Sequence, residues 1–114
     1  MEQEPFYLEV LASDRREGVR IFRVIGPLTL RTFFAVQEEL RHAPSRLKIF
    51  DLSAVPYMDS AGMGVIINAY VSAKRRGGNV AVVGPNYRVI ELFKLTHVDT
   101  LIPVLETVEA AEAL

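Results

Sequence analysis

Asp59 and Ser60, followed by glycines at 62 and 64, are the residues whose types and spacing best suit chemistry in this sequence. A hydroxyl or carboxylate at the start of a helical pattern can cap it, accepting hydrogen bonds from first-turn N–H groups that have no partner of their own. Ser60 sits where an N-cap hydroxyl belongs. The same hydroxyl can carry a phosphate, which adds roughly two negative charges at a helix N-terminus, where free N–H groups and the dipole tolerate them. The residues alone leave both readings open, a structural cap worth about 1 kcal/mol or a switch. Asp59 next door would repel the phosphate and keep it turned outward. Glycine is about 1 kcal/mol worse than alanine in a helix, so two in one turn need a reason. Gly62 and Gly64 either allow close packing within the domain or leave the helix start bare for a partner. On the second reading, Met58, Ser60, Ala61, Gly62 and Met63 form an exposed, partly apolar patch.

Other chemistry finds less support. A serine nucleophile on the Gly-x-Ser-x-Gly elbow is excluded, because Met58 occupies the first glycine position. Such a nucleophile also needs a base, and no spacing ties His42 or His97 to Ser60. Asp51 ends a strand, as in a phospho-aspartate receiver. The metal-binding acidic pair of that chemistry is missing, since only Asp14 is nearby and two arginines follow it. The absence of cysteine removes disulfides, thiolate catalysis and cysteine metal sites. The expectation is a protein that is not an enzyme and needs no cofactor or metal.

The elements that must position Ser60 follow from hydrophobic periodicity. Phe6 to Ala12 reads as a strand with Phe6, Leu8 and Val10 on one face, and Val19 to Ile25 as a second strand. The polar segment from Ser13 to Gly18 joins them as an antiparallel hairpin. Gly26-Pro27 breaks the second strand, and Thr29 is expected to cap a helix from about Leu30 to His42, with Leu30, Phe33, Phe34, Gln37 and Leu40 near one face. Leu47 to Leu52 is a third strand. Ser53 to Asp59 is a loop, and from Ser60 the apolar residues Val65, Ile66, Ala69, Tyr70 and Ala73 recur at helical steps. Gly77-Gly78 ends that helix behind Lys74, Arg75 and Arg76. Asn79 to Val83 is a fourth strand, Asn86 caps a short helix, Leu101 to Leu105 is a short fifth strand, and Thr107 caps a last helix. The order β-β-α-β-α-β-α-β-α defines an α/β fold, a mixed sheet of four to five strands with about four helices.

Composition agrees with this reading. The 114 residues fit one domain, residues 1–114. Thirteen basic and 14 acidic side chains give a formal net charge of −1. No strong field favours nucleic acid or an anionic membrane. Arg15-Arg16 and Lys74-Arg75-Arg76 read as solvated charge. The acidic, polar start Met1-Glu2-Gln3-Glu4-Pro5 is unlike a signal peptide, and apolar stretches fall short of a membrane span. A cytoplasmic address is expected, as a monomer or a weak dimer through a strand edge.

Asp51-Leu52-Ser53, followed by Tyr57-Met58-Asp59-Ser60-Ala61-Gly62-Met63-Gly64-Val65, resembles the signature of the STAS domain, and most of all the stand-alone bacterial anti-sigma factor antagonists. The resemblance continues through Gly77-Gly78 and the segment Val89 to Thr96, with Arg88 just upstream. It implies that Ser60 is phosphorylated by a partner that is both anti-sigma factor and serine kinase. It also implies that the unphosphorylated form binds that partner and frees a sigma factor, and that a phosphatase restores binding. The partner-binding residues it implies are Thr29, Met58, Asp59, Ser60, Ala61, Gly62 and Met63. One departure stands out. Gly26-Pro27-Leu28-Thr29 occupies the place where the family often has Gly-Glu-Leu-Asp, so Thr29 replaces an acid beside the serine. STAS-like domains also serve as cytoplasmic subunits of lipid-transport systems and in signalling scaffolds. In that setting Ser60 would be a plain cap at a constitutive interface.

Overall fold

The computed structural model describes residues 5–114, and the acidic start read as unlike a signal peptide lies largely outside them. Strand β1 (Tyr7–Ala12) turns back through a polar loop into β2 (Val19–Ile25). Gly18, at the end of that loop, has φ +78°, a conformation that a side chain would strain. After β2 come α1 (Phe33–His42), β3 (Leu47–Ala54), α2 (Ser60–Arg75), β4 (Asn79–Val83), α3 (Tyr87–Leu95), β5 (Val104–Leu105) and α4 (Val108–Glu112). A single 3-10 turn, Val98–Thr100, precedes β5. The element order matches the one expected from the sequence.

The five strands form one sheet in the order β1-β2-β3-β4-β5. β1 pairs antiparallel with β2, and every later pairing is parallel. The sheet is therefore mixed, as the opening hairpin requires. Its two faces are filled by alternate residues of the same strands. Phe22, Val24, Phe50, Leu52, Val80 and Val82 pack on one face with α1, α2 and α3. Val19, Leu47, Ile49, Ala81 and Val83 pack on the other, covered by Ala111 and Val108 of α4. Phe22 and Phe50, paired across β2 and β3, stack with centroids 5.4 Å apart.

Three expectations need correction. Helix α1 starts at Phe33, not Leu30, and Thr29 does not cap it. The Thr32 hydroxyl donates to the Pro27 carbonyl and accepts from the Thr29 N–H, while the Thr29 hydroxyl accepts from the Arg31 N–H. These local bonds hold residues 27–32 in turns that compete with helix. The apolar face of α1 is also narrower than expected. Val36 is its fully buried residue, Phe33 and Leu40 are partly buried, and Leu30 and Phe34 are exposed. Finally, β5 has two residues rather than five. The Ile102 N–H bonds back to the Val98 carbonyl in the turn that follows, and Pro103 has no N–H to offer a strand.

Candidate functional site

The chain around Ser60 is held by backbone pairing across thirty residues. Leu28 forms an isolated parallel bridge with Met58. The Leu28 N–H donates to the Tyr57 carbonyl at 3.2 Å, and the Leu28 carbonyl accepts from the Asp59 N–H at 3.4 Å. From the other side Asn86 caps α3 through the Val89 N–H, and its amide donates to the carbonyls of Val55 and Pro56. Arg88 lies over the Tyr57 ring, 5.4 Å from its centroid. The loop before α2 is thus pinned from both flanks.

Asp59 is the N-cap of α2. One carboxylate oxygen accepts from the N–H groups of Ala61 at 3.0 Å and Gly62 at 3.1 Å. The other accepts from the Leu30 N–H at 3.0 Å. One side chain therefore closes the helix start and ties it to the segment carrying Thr29. Burial pushes the Asp59 carboxyl up, but donated bonds from Gly62, Leu30, Ala61 and its own N–H prevail and hold it below its ordinary value of 3.8.

Ser60 is not the cap. It is the first helical residue, it is exposed, and no hydrogen bond engages its hydroxyl among the described residues. The free first-turn N–H groups expected to greet a phosphate are largely taken, since Asp59 occupies those of Ala61 and Gly62. A group attached to Ser60 faces solvent beside a carboxylate.

The two glycines divide between the two readings offered by the sequence. A Cβ on Gly62 would lie 2.1 Å from the Leu28 carbonyl oxygen, so Gly62 is there for close packing within the domain. A Cβ on Gly64 would meet nothing within 4 Å, so the helix surface there is open. The expected exposed patch is smaller than the sequence implied. Met63 is 3% exposed and belongs to the core, and Gly62 is buried. Both lie on the inward face of α2 with Ile66. Met58 and Ala61 are half-buried. Leu30, whose N–H bonds to Asp59 next to Ser60, is 70% exposed, although the sequence placed it on the apolar helix face. Leu28 and Leu30 carry no local signal of their role, because it arises only where residues 28–30 meet residues 57–59.

Among the described residues, no histidine is paired with Ser60 and no metal cluster is assembled. His42 ends α1 and His97 sits in a left-handed turn at φ +60°, and neither bonds to Ser60 among the described residues. Asp51 accepts from the hydroxyl and N–H of Ser53. No group of three or more His, Asp or Glu side chains among the described residues has a metal-holding arrangement.

A sheet of this order, with an exposed serine behind a capping aspartate at the second helix, defines a STAS-type module, and the STAS domain model matches residues 11–111. The chain belongs to the STAS domain family. It is similar to the anti-sigma F factor antagonist of Paenibacillus polymyxa, 28% identical over 100 residues, covering 84% of this chain and 86% of that one. Other curated relatives match over about half of this chain and half of their own length. An anti-sigma factor antagonist from Mycobacterium paratuberculosis has the same fold, with a TM-score of 0.83 at 22% identity, over 96% of this chain and 92% of that one. So has the STAS domain of a SulP transporter from Vibrio cholerae, with a TM-score of 0.69 at 24% identity, over 84% and 79% of the two chains. Among the described residues no helix is long and apolar enough to cross a membrane.

Proposed function

We propose that this chain is a cytoplasmic anti-sigma factor antagonist that acts by binding, not catalysis, and is switched by phosphorylation of Ser60. Unphosphorylated, it binds an anti-sigma factor that is also a serine kinase, and a sigma factor is released. Phosphorylation ends the complex, and a phosphatase restores it. The observation that carries this reading is the exposed, unbonded hydroxyl of Ser60 directly after a cap that Asp59 supplies. The fold does not need that hydroxyl, so it is available to another protein. The exposed Leu30 and open Gly64 give a partner helix room to pack around it. A phosphate there carries roughly two negative charges. With the Ala61 and Gly62 N–H groups already bonded to Asp59, it stays outward and must be desolvated in the interface. An unpaired buried charge of this kind costs about 3–5 kcal/mol, enough to dissociate the complex.

The test is incubation with ATP and a candidate kinase from the same genome, followed by intact-mass measurement. A phosphoryl mass is expected on the wild type and not on Ser60→Ala, which should bind the kinase constitutively. Modification that persists in Ser60→Ala would remove Ser60 as the site. Thr29 in place of the usual acid favours a second reading, a STAS interaction subunit that is not phosphorylated. A pull-down that returns transporter subunits and no kinase would select it. Thr29→Asp in the kinase assay measures what the missing acid contributes.

A further inference from the structure

Away from Ser60, α1 and α2 leave a cleft of about 220 Å³ over the start of β3. Lys48 lines it and is only 7% exposed. Among the described residues its ammonium makes one hydrogen bond, a long one of 3.4 Å to the Ser45 carbonyl. The ion pairs among the described residues join Arg15 to Glu112 and Arg41 to Glu38, so Lys48 has no carboxylate partner. A buried cation without a counterion is costly. Two more cations stand at the same cleft, Arg41 from α1 and Arg76 from the end of α2. Glu38 lies 3.5 Å from Arg41, which leaves the cleft with a surplus of positive charge. Burial and the nearby Arg76 both push the Lys48 ammonium below its ordinary value of 10.5, the direction expected where a counter-charge is missing. The carbonyl ends of the two helices offer only partial negative charge. Gln37, Asn68 and Ser72 add neutral hydrogen-bonding groups, and Leu40, Val65 and Ala69 form an apolar wall.

We propose that this cleft is a binding site for a small phosphate-bearing anion, held by Lys48 from the sheet and by Arg41 and Arg76 from the two helices. Phosphate suits it because its oxygens can accept from a guanidinium, an ammonium and an amide at once. The volume, below the usual range for larger ligands, limits the occupant to inorganic phosphate or a compact phosphomonoester with a short apolar group against Leu40 and Val65. The site is separate from Ser60, so its test does not depend on the kinase.

The full chain, isotopically labelled, is titrated at constant ionic strength with sodium phosphate, with n-butyl phosphate and with sodium chloride, and amide shifts are followed by NMR. Saturable shifts confined to Gln37, Leu40, Asn68 and Ser72 are expected with the phosphates and not with chloride. Lys48→Met keeps the volume and removes the charge. It should weaken binding roughly tenfold or more, as should Arg76→Gln, which lies at the surface and leaves the core untouched. Tighter binding of butyl phosphate assigns the site to phosphomonoesters, and equal binding assigns it to inorganic phosphate. Shifts that chloride reproduces, that map elsewhere, or that survive both substitutions unchanged overturn the proposal.

Discussion

Asp59 and Ser60 are neighbours in sequence with opposite duties. The carboxylate holds three N–H groups from two segments, and the hydroxyl holds none. Their removal should therefore have unequal effects. Asp59→Ala is expected to cost about 1–2 kcal/mol, the loss of a good cap together with a tertiary bond. Ser60→Ala should stay within about 0.5 kcal/mol of the wild type. Urea denaturation decides between this and the reverse ranking, which would make Ser60 the cap after all. The Asp59 carboxyl also gives the cap a pH dependence. Its pKa is lower in the folded chain than unfolded, so its contribution is complete above the ordinary value of 3.8 and is lost as pH falls through the folded one. The stability gap between wild type and Asp59→Ala should be constant from pH 7 to about pH 5 and shrink in more acidic solution. A gap that widens in acid would contradict the geometry of the cap.

At the scale of elements, helix α2 shows how similar residues answer to different neighbours. Gly62 and Gly64 are two positions apart, yet one faces the Leu28 carbonyl and the other faces open space. Gly62→Ala should be strongly destabilising, because backbone must move to admit the methyl group. Gly64→Ala should stabilise by about 0.5–1 kcal/mol through helix propensity. Both are read from denaturation midpoints, and a stable Gly62→Ala protein would refute the crossing of residues 27–29 over the helix start. Helix α1 was legible as a helix, but its first turn was not. Thr29 is the cap expected from sequence, whereas the helix starts after Thr32. Their hydroxyls are engaged in turns instead, since Leu28 must reach Met58 and the Leu30 N–H must reach Asp59.

At the scale of the whole molecule, the last helix closes on the first loop. Glu112 is 6% exposed and its carboxylate accepts the Ser13 hydroxyl and faces Arg15 at 3.8 Å. Arg16 donates to the carbonyls of Glu112, at 2.7 Å, and of Leu114. Arg15 is exposed, as read from sequence, whereas Arg16 is half-buried and ties the end of α4 to the first loop. Glu112→Ala should cost about 1–3 kcal/mol, because a part-buried hydroxyl loses its acceptor. Faster amide exchange is expected in residues 13–18 and 108–112, with the centres of β3 and α2 unchanged. Unaltered exchange at those two ends would show that α4 is held by Ala111 and Val108 alone.

By itself the sequence determined the alternation of strands and helices, because side-chain periodicity is a local property. The caps at Asn86 and Thr107 were local too, since each depends on a few adjacent residues. It also marked the segment around Ser60, through a carboxylate, a hydroxyl and two glycines in six residues. Only the tertiary structure decided which of those groups is used up and which is free. Asp59 caps the helix through Ala61 and Gly62 and in addition takes the N–H of Leu30, 29 residues upstream, while Met63 enters the core because α2 turns that face to the sheet. Of the patch expected to be exposed, Ser60 stays at the surface while Gly62 and Met63 do not, a division set by which face of α2 meets the sheet and Leu28.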